Sequence, residues 1–439
     1  MKRVVLLLLI AAGSVAAQTR DTLTLEDAVA LGLANSRTLR ASAERVAGAE
    51  ARASEIHAGM LPSLKFEGSY RRLSDVDPFL VQLPILPQPI EISPTVLDNT
   101  SLRLGLQQPL FTGFRLLSNA QAADRLAEAS ISDHATDRAD LVLNITAAYW
   151  TLYQTRETER FVADNVRRLK GYVQDIGNLL NAGMATRNDA LKMDVQLSTA
   201  RLSLIDARND VQLAVMNLNT LLGRPVEAPL VPSSLPGVVQ DSSSTSVDLL
   251  TAAALAVRPD LRALSSRVEA SRASVRAAQA GWWPQLSLGA NYYYSRPNQR
   301  YMPTRDEFKG TWDVGVMVTM DIWNWGQTAR QTDQAGAALR QNELMYEQMR
   351  DGVALDVHRA ALQVQAARER VDVANLGLEQ AGENLRVSTD RFRRGLVTVS
   401  ELRDAELALL QATITQSGAR VEAEISRTRL ARSLGNLGR

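Results

Sequence analysis

Apolar residues recur every seven positions along two long stretches of the chain. In the second half, large apolar residues occupy one position of this heptad: Val357, Val364, Val371, Leu378, Leu385 and Phe392. Alanine occupies a neighbouring position, and the first half repeats the pattern between Leu197 and Leu218. No proline lies between Pro109 and Pro225 or after Pro303, and proline costs about 3 kcal/mol inside a helix. These stretches predict long helices packed against antiparallel neighbours, a pattern that a generic coiled coil would also show.

The period of the pattern changes to two in four shorter segments. In the first of them, Leu64, Phe66 and Tyr70 alternate with polar residues. This alternation predicts strands over residues of about 63–72, 99–110, 285–295 and 311–322. A tilted strand needs about ten residues to cross a bilayer, and each segment has roughly that length. A half-buried sheet of a soluble protein would show the same alternation.

Tryptophans mark one end of the second predicted hairpin. Two precede its first strand and two follow its second strand: Trp282, Trp283, Trp323 and Trp325. Tyrosines gather at the other end: Tyr292, Tyr293, Tyr294 and Tyr301. Aromatic belts at both ends of the strands are typical of membrane β-barrels, so we predict that the four tryptophans lie at a membrane interface. Four strands cannot close a barrel in lipid, so this interpretation requires at least two chains.

The chain contains two copies of one pattern. From Leu25 to Tyr70, a shift of 222 residues aligns related residues, and a shift of 212 residues aligns the later part, where Gly183 meets Gly395. Each copy is predicted to form a helix, a β-hairpin, a long helix and a return helix. We predict a first repeat over residues 18–223, a linker over 224–246 and a second repeat over 247–439. The predicted fold is mainly α with a β-barrel part.

The segment 1–17 has the layout of a secretory signal peptide. Lys2 and Arg3 precede an apolar run from Val4 to Ala12, and small residues at positions 15–17 form a cleavage site. The apolar run is too short to span a bilayer, which argues against a retained membrane anchor. We therefore expect the chain to be exported from the cytoplasm.

Composition argues against chemistry carried out by the chain itself. Its 439 residues include 49 basic and 48 acidic ones, so no broad basic surface for nucleic acid is expected. There is no cysteine, and the three histidines, His57, His134 and His358, lie far apart. Thiol chemistry and disulfides are thereby excluded, and a histidine-based metal or catalytic site is poorly supported. We predict a protein that is not an enzyme and that has no cofactor and no metal site.

Two related segments open the repeats, and a third precedes the first long helix. They are LTLEDAVALGLANSRTLR (Leu23–Arg40), VDLLTAAALAVRPDLR (Val247–Arg262) and QPLFTG (Gln108–Gly113). With these segments, the chain resembles the TolC-like outer-membrane efflux protein family, and specifically its non-lipidated branch because it lacks cysteine. The resemblance implies a homotrimer with a twelve-stranded outer-membrane β-barrel on a long α-helical tunnel in the periplasm.

The resemblance also implies a function. A chain of this family would be the outer-membrane exit duct of a tripartite efflux or type I secretion system. It would conduct cargo passively, and its partners would be a periplasmic adaptor protein and an inner-membrane pump. The residues themselves leave one alternative open, a secreted or surface coiled-coil protein with a structural or adhesion role. That alternative predicts a soluble protein, whereas the barrel interpretation predicts one that fractionates with the outer membrane.

The same resemblance locates the functional residues at two helix turns, which form the far tip of the tunnel in the family. The residues expected to dock the adaptor are Gly183, Met184, Gly395 and Leu396. The residues expected to form the periplasmic gate are Asp189, Phe392, Glu401, Asp404 and Arg187. Arg187 is included because Val397 replaces the family's arginine in the second turn. Glu401 and Asp404 share one helix face, although carboxylates on a coiled coil are often only solvated.

Overall fold

The computed structural model describes residues 22–237 and 246–437, apart from 78, 83, 86, 89 and 94. The predicted signal peptide and residues 238–245 of the predicted linker lie outside the described residues. The chain divides into two compact units. Unit 1 comprises Met1–Leu39, Arg138–Thr251 and Asp356–Arg439, and unit 2 comprises Arg40–Asp137 and Ala252–Leu355. Each unit therefore contains segments of both sequence repeats.

Most of the described residues are helical. The helices of the first repeat are α1 (Leu25–Asn35), α2 (Arg37–Ala58), α3 (Arg115–Asn181) and α4 (Arg187–Leu222). Those of the second repeat are α5 (Val247–Val257), α6 (Pro259–Gln279), α7 (Gln327–Arg393) and α8 (Val399–Ser433). A single 3-10 turn, Ala280–Trp282, follows α6. None of the helices in residues 22–237 and 246–437 combines the length and the apolar character needed to cross a membrane.

The segment before each hairpin differs from the sequence prediction, which placed one helix there. The first is broken at Ser36, which has non-helical ψ of 120° and whose hydroxyl oxygen accepts a hydrogen bond from the amide of Leu39. A serine in this position caps the start of α2. The second is broken at Arg258, because Pro259 occupies the first turn of α6 and has no amide hydrogen to continue α5.

The strands are short outside one central sheet. They are β1 (Thr22–Leu23), β2 (Ser63–Arg72), β3 (Phe79–Val81), β4 (Ile90–Ser93), β5 (Asp98–Phe111), β6 (Val231–Pro232), β7 (Gln285–Arg296) and β8 (Lys309–Thr319). The central sheet has the order β2-β5-β7-β8 and is antiparallel throughout, so β5 and β7 join the hairpins of the two repeats. In unit 1, β1 pairs with β6 in parallel, and in unit 2, β3 pairs with β4.

The two faces of the central sheet differ in polarity. On one face, a row of large apolar side chains crosses all four strands: Phe66, Leu104, Tyr292 and Trp312. Phe66 is 70% exposed and Trp312 is 69% exposed, so this apolar face is uncovered within one chain. On the opposite face, Arg103 donates hydrogen bonds to Glu67 (3.2 Å) and to Asn291 (2.8 Å). An apolar face of this size calls for cover by lipid or by another protein.

A buried tyrosine organises the core of unit 1. Tyr149 on α3 lies in an apolar cluster with residues of α1, α4 and α8. Its hydroxyl donates a hydrogen bond to the carbonyl of Leu23 (2.9 Å) and accepts hydrogen bonds from the amides of Ser233 (3.1 Å) and Ser234 (2.8 Å). This one hydroxyl therefore links the backbone of β1 to the segment after β6, where the amide of Ser233 also donates to the carbonyl of Leu23 (3.0 Å). It also fastens the described part of the linker to α3.

Candidate functional site

Two helix turns in unit 1 have the same geometry, turn 1 between α3 and α4 and turn 2 between α7 and α8. Gly183 and Gly395 adopt left-handed φ values of +74° and +72°. The next amide donates back into the helix in each case, from Met184 to the carbonyl of Leu179 (2.8 Å) and from Leu396 to that of Arg391 (2.9 Å). A Cβ at either glycine would meet no atom within 4 Å. The left-handed conformation, rather than space, therefore requires glycine.

A threonine caps the helix that follows each turn. The hydroxyl oxygen of Thr186 accepts the amide of Asp189 (3.2 Å), and that of Thr398 accepts the amide of Glu401 (3.3 Å). In turn 1 the reciprocal bond is also present, from the Thr186 amide to a carboxylate oxygen of Asp189 (3.1 Å). The two predicted gate carboxylates Asp189 and Glu401 thus occupy equivalent positions, three residues after the capping threonine. Asp189 therefore stabilises the start of α4 as part of a capping box.

The capping bonds also perturb the acidity of Asp189. The Thr186 hydroxyl and then its amide donate to the carboxylate and hold the pKa of Asp189 below its ordinary value. A carboxyl whose pKa is lowered in the folded state stabilises that state above its unfolded pKa. That contribution is lost as the pH falls through the lowered pKa. Turn 1 is therefore expected to loosen in acid, beginning with the first turn of α4.

Both turns are anchored in one apolar cluster. Its buried members near the turns are Ile176, Met193, Phe392, Val399 and Leu402, with Ala185 and Val397 packed against them. The structure therefore brings turn 1 and turn 2 to the same end of unit 1. Phe392 lies inside this cluster rather than at the surface, so within one chain it packs against its neighbours. At the surface, Met184 and Leu396 follow the two glycines and are 72% and 69% exposed.

The remaining predicted gate residues are exposed. Glu401 and Asp404 lie in the first turns of α8, and a guanidinium nitrogen of Arg403 lies 2.8 Å from a carboxylate oxygen of Asp404. Arg187 forms no ion pair within the described ranges, so Arg403 is the arginine that accompanies the acidic pair. An exposed ion pair of this kind stabilises a fold by about 1 kcal/mol or less. Glu401 forms no ion pair within the described residues, so its carboxylate is available to another cation.

A buried carboxylate on α8 is not among the residues predicted from the sequence. Glu406 is 3% exposed, and the Nε of Arg168 on α3 donates to both of its oxygens at 2.9 and 3.1 Å. The hydroxyl of Tyr172 donates to the same carboxylate at 2.9 Å, and burial together with Glu406 raises the pKa of Tyr172. The signal was present in the sequence. Leu402, Glu406 and Leu409 have the three-four spacing of a heptad seam, where a charged residue needs a partner.

The four tryptophans flank one end of the sheet in unit 2. Gln285, the first residue of β7, pairs with Thr319, the last of β8, and the tryptophans lie just outside these two residues. Because β8 ends at Thr319, Trp323 and Trp325 follow the strand by several residues. Their rings contact each other edge to face, with centroids 5.8 Å apart. All four side chains are more than half exposed.

The chain matches the family model described as outer membrane efflux protein over residues 29–224 and 250–436. Outer membrane efflux protein BepC of Brucella suis biovar 1 (strain 1330) is 27% identical over 315 residues, which cover 70% of this chain and 67% of BepC. Alkaline protease secretion protein AprF of Pseudomonas aeruginosa is 24% identical over 334 residues, which cover 74% of this chain and 67% of AprF. The two matched segments of the family model correspond to the two sequence repeats.

Solved structures show the same fold. The outer-membrane channel OprN superposes with a TM-score of 0.79 at 23% identity, covering 94% of this chain and 90% of OprN. CusC superposes with a TM-score of 0.80 at 18% identity, covering 94% of this chain and 92% of CusC. At these identities the structural likeness establishes the fold. The family assignment rests on the sequence match.

Proposed function

The chain belongs to the outer membrane efflux protein family, and from this membership we propose that it is the outer-membrane channel of an export system. It conducts cargo passively out of the cell, and no chemistry of its own is involved. The cargo is delivered by an inner-membrane pump through a periplasmic adaptor, as in tripartite efflux or type I secretion. The single observation that carries this proposal is the family match across both repeats.

The central sheet supports a trimeric barrel. Within the described ranges, β2 and β8 are its open edges, and such edges are not tolerated in lipid. Three copies joined from edge to edge would close a barrel of twelve strands. In that barrel the apolar face would meet lipid, and the polar face would line the lumen. The helical regions would then form the periplasmic tunnel.

Turn 1 and turn 2 are proposed to form the periplasmic entrance of that tunnel. Met184 and Leu396 offer exposed apolar contacts to an adaptor, on turns shaped by Gly183 and Gly395. Three-fold symmetry would turn Glu401, like Asp404, into a ring of negative charge that attracts cations and narrows the entrance. Phe392 and Asp189 would stabilise the turns, Phe392 through the apolar cluster and Asp189 through the capping box. Arg187 lies two residues before Asp189, at the start of α4.

Replacing both Glu401 and Asp404 with alanine is expected to weaken block of the channel by multivalent cations at least about tenfold. Each carboxylate removed takes away roughly 1 kcal/mol of attraction for a nearby unit charge, and three copies of each are lost. Single-channel conductance in planar bilayers, recorded with and without the blocking cation, measures this. Barrel insertion is expected to be unchanged because both residues belong to the helical unit 1.

The matched control replaces two carboxylates elsewhere on a return helix. Asp206 and Asp210 on α4 are exposed and lie four residues apart. Asp206→Ala combined with Asp210→Ala removes the same charge from the surface of unit 1, and we expect it to keep the cation block. Equal block in the Glu401/Asp404 variant and the native protein would show that the acidic pair is only a solvated surface.

The tryptophans at the end of the sheet provide a test of membrane insertion. In a variant carrying Trp150→Phe and Trp312→Phe, the four interface tryptophans remain. Their fluorescence is expected to be quenched by lipids labelled near the headgroup, because tryptophan prefers that depth. Free access of an aqueous quencher to all four in the membrane-bound protein would contradict the barrel assignment. A variant that keeps only the buried Trp150 serves as the insensitive control.

A further inference from the structure

The polar face of the central sheet carries more basic than acidic groups. Its strand positions hold four basic residues: Lys65, Arg71, Arg103 and Lys309. The same face holds two acidic residues, Glu67 and Asp313. The remaining positions are mainly serine, threonine, asparagine, glutamine and glycine. The excess of positive charge is therefore a property of the face and is distributed over its length.

Both acidic residues of this face are already engaged. Glu67 lies 3.2 Å from a guanidinium nitrogen of Arg103. Asp313 accepts a hydrogen bond from the side-chain amide of Asn291 (2.8 Å) and forms an ion pair with Arg300 (3.0 Å) in the loop after β7. Among the basic groups, Lys309 is paired with Glu307 of that loop at 3.3 Å.

Two basic side chains are left over. Lys65 and Arg71 both lie on β2, are exposed, and form no ion pair within the part of the chain that the structure describes. Arg71 also lines a concavity of about 470 Å³ on the polar face, whose other lining side chains are mostly hydroxyls and amides. Among the described residues, the lining of this concavity includes no carboxylate. An anion entering it would meet the guanidinium of Arg71, that of Arg300, which is already paired with Asp313, and neutral hydrogen-bonding groups.

We infer that the polar face of the sheet attracts anions and that Lys65 and Arg71 give this part of the channel its preference for anions. The cargo favoured by such a lining bears carboxylate, phosphate or sulfonate groups. The inference rests on the proposed channel, in which this face lines the lumen. Rings of lysine and arginine select anions in pores because their field concentrates anions and repels cations.

The test is the chloride-to-potassium permeability ratio of the full chain in planar bilayers across a KCl gradient near 0.1 M. Lys65→Gln combined with Arg71→Gln is expected to lower this ratio at least about twofold. Each lost charge would have attracted a chloride ion passing within a few ångströms and repelled a potassium ion. At 1 M salt the difference should vanish, because the screening length falls to about 3 Å. Arg72→Gln is the control for position. It removes one positive charge per chain, half of what the double variant removes, from the opposite face and one residue along β2.

Glu401 and Asp404 would attract cations elsewhere in the same channel, so the measurement is repeated in the background carrying Glu401→Ala and Asp404→Ala. If adding Lys65→Gln and Arg71→Gln to this background leaves the chloride-to-potassium permeability ratio unchanged, the inference is overturned. If the Lys65/Arg71 variant fails to insert, the test uses the protein that carries only Glu401→Ala and Asp404→Ala. A permeability ratio that favours potassium over chloride at 0.1 M in that protein would equally overturn the inference. Absence of channels from the native protein would instead refute the proposed function.

Discussion

Arg168→Ala is expected to lower the free energy of unfolding of the helical unit 1 by about 3 kcal/mol, the low end of the cost of breaking a buried ion pair. The substitution leaves Glu406 buried with the Tyr172 hydroxyl as its remaining described partner. Arg168 itself is 37% exposed, so water reaches part of the vacated space and limits the loss. Urea unfolding in detergent, followed by helical circular dichroism, measures the shift in midpoint.

Two further variants separate the buried charge from lost packing. Arg167→Ala, one residue away, removes a 77% exposed arginine from a surface pair with Asp164 and is expected to cost about 0.5 kcal/mol or less. Arg168→Ala combined with Glu406→Leu removes both charges and is expected to be more stable than Arg168→Ala alone. If the double variant is the less stable of the two, the unpaired carboxylate is not the source of the loss.

Periodicity made the helices and strands of this chain predictable, because both signals are local. Large heptad residues such as Val357 and Leu218 are buried, as a seam of packed helices requires. The break at Ser36 was missed because the apolar pattern continues through it and a single serine is a weak stop signal. The pairing of β5 with β7 does not follow from periodicity either, since strand order depends on contacts between residues far apart in sequence.

The candidate site was predictable only in part. The positions of turn 1 and turn 2 follow from Gly183 and Gly395, and the capping threonines could have been found from the spacing of Thr186 with Asp189 and of Thr398 with Glu401. The burial of Phe392 depends on which helices face each other across the cluster. That is set by tertiary packing and not by the local sequence.

Gly113→Ala is expected to destabilise unit 2 by about 3 kcal/mol, from the left-handed backbone and from overpacking together. Gly113 has φ of +60°, and a Cβ there would lie 2.6 Å from the carbonyl oxygen of Ala280 and 2.7 Å from the Cβ of Trp283. Neither atom is the far end of a flexible side chain, so the backbone between β5 and α3 would have to move. Thermal unfolding followed by near-ultraviolet circular dichroism of the aromatic residues measures the effect.

The second sequence repeat offers a control that separates the cost of the left-handed backbone from the cost of steric crowding. A shift of 212 residues places Trp325 at the position of Gly113, and Trp325 adopts φ of +55° with a side chain that is 89% exposed. A left-handed residue other than glycine is therefore tolerated where nothing crowds it. Gly326→Ala, at φ of +81° with no atom within 4 Å of the added Cβ, is expected to cost only about 1 kcal/mol. If Gly113→Ala costs no more than Gly326→Ala, the close approach of Ala280 and Trp283 does not constrain this turn.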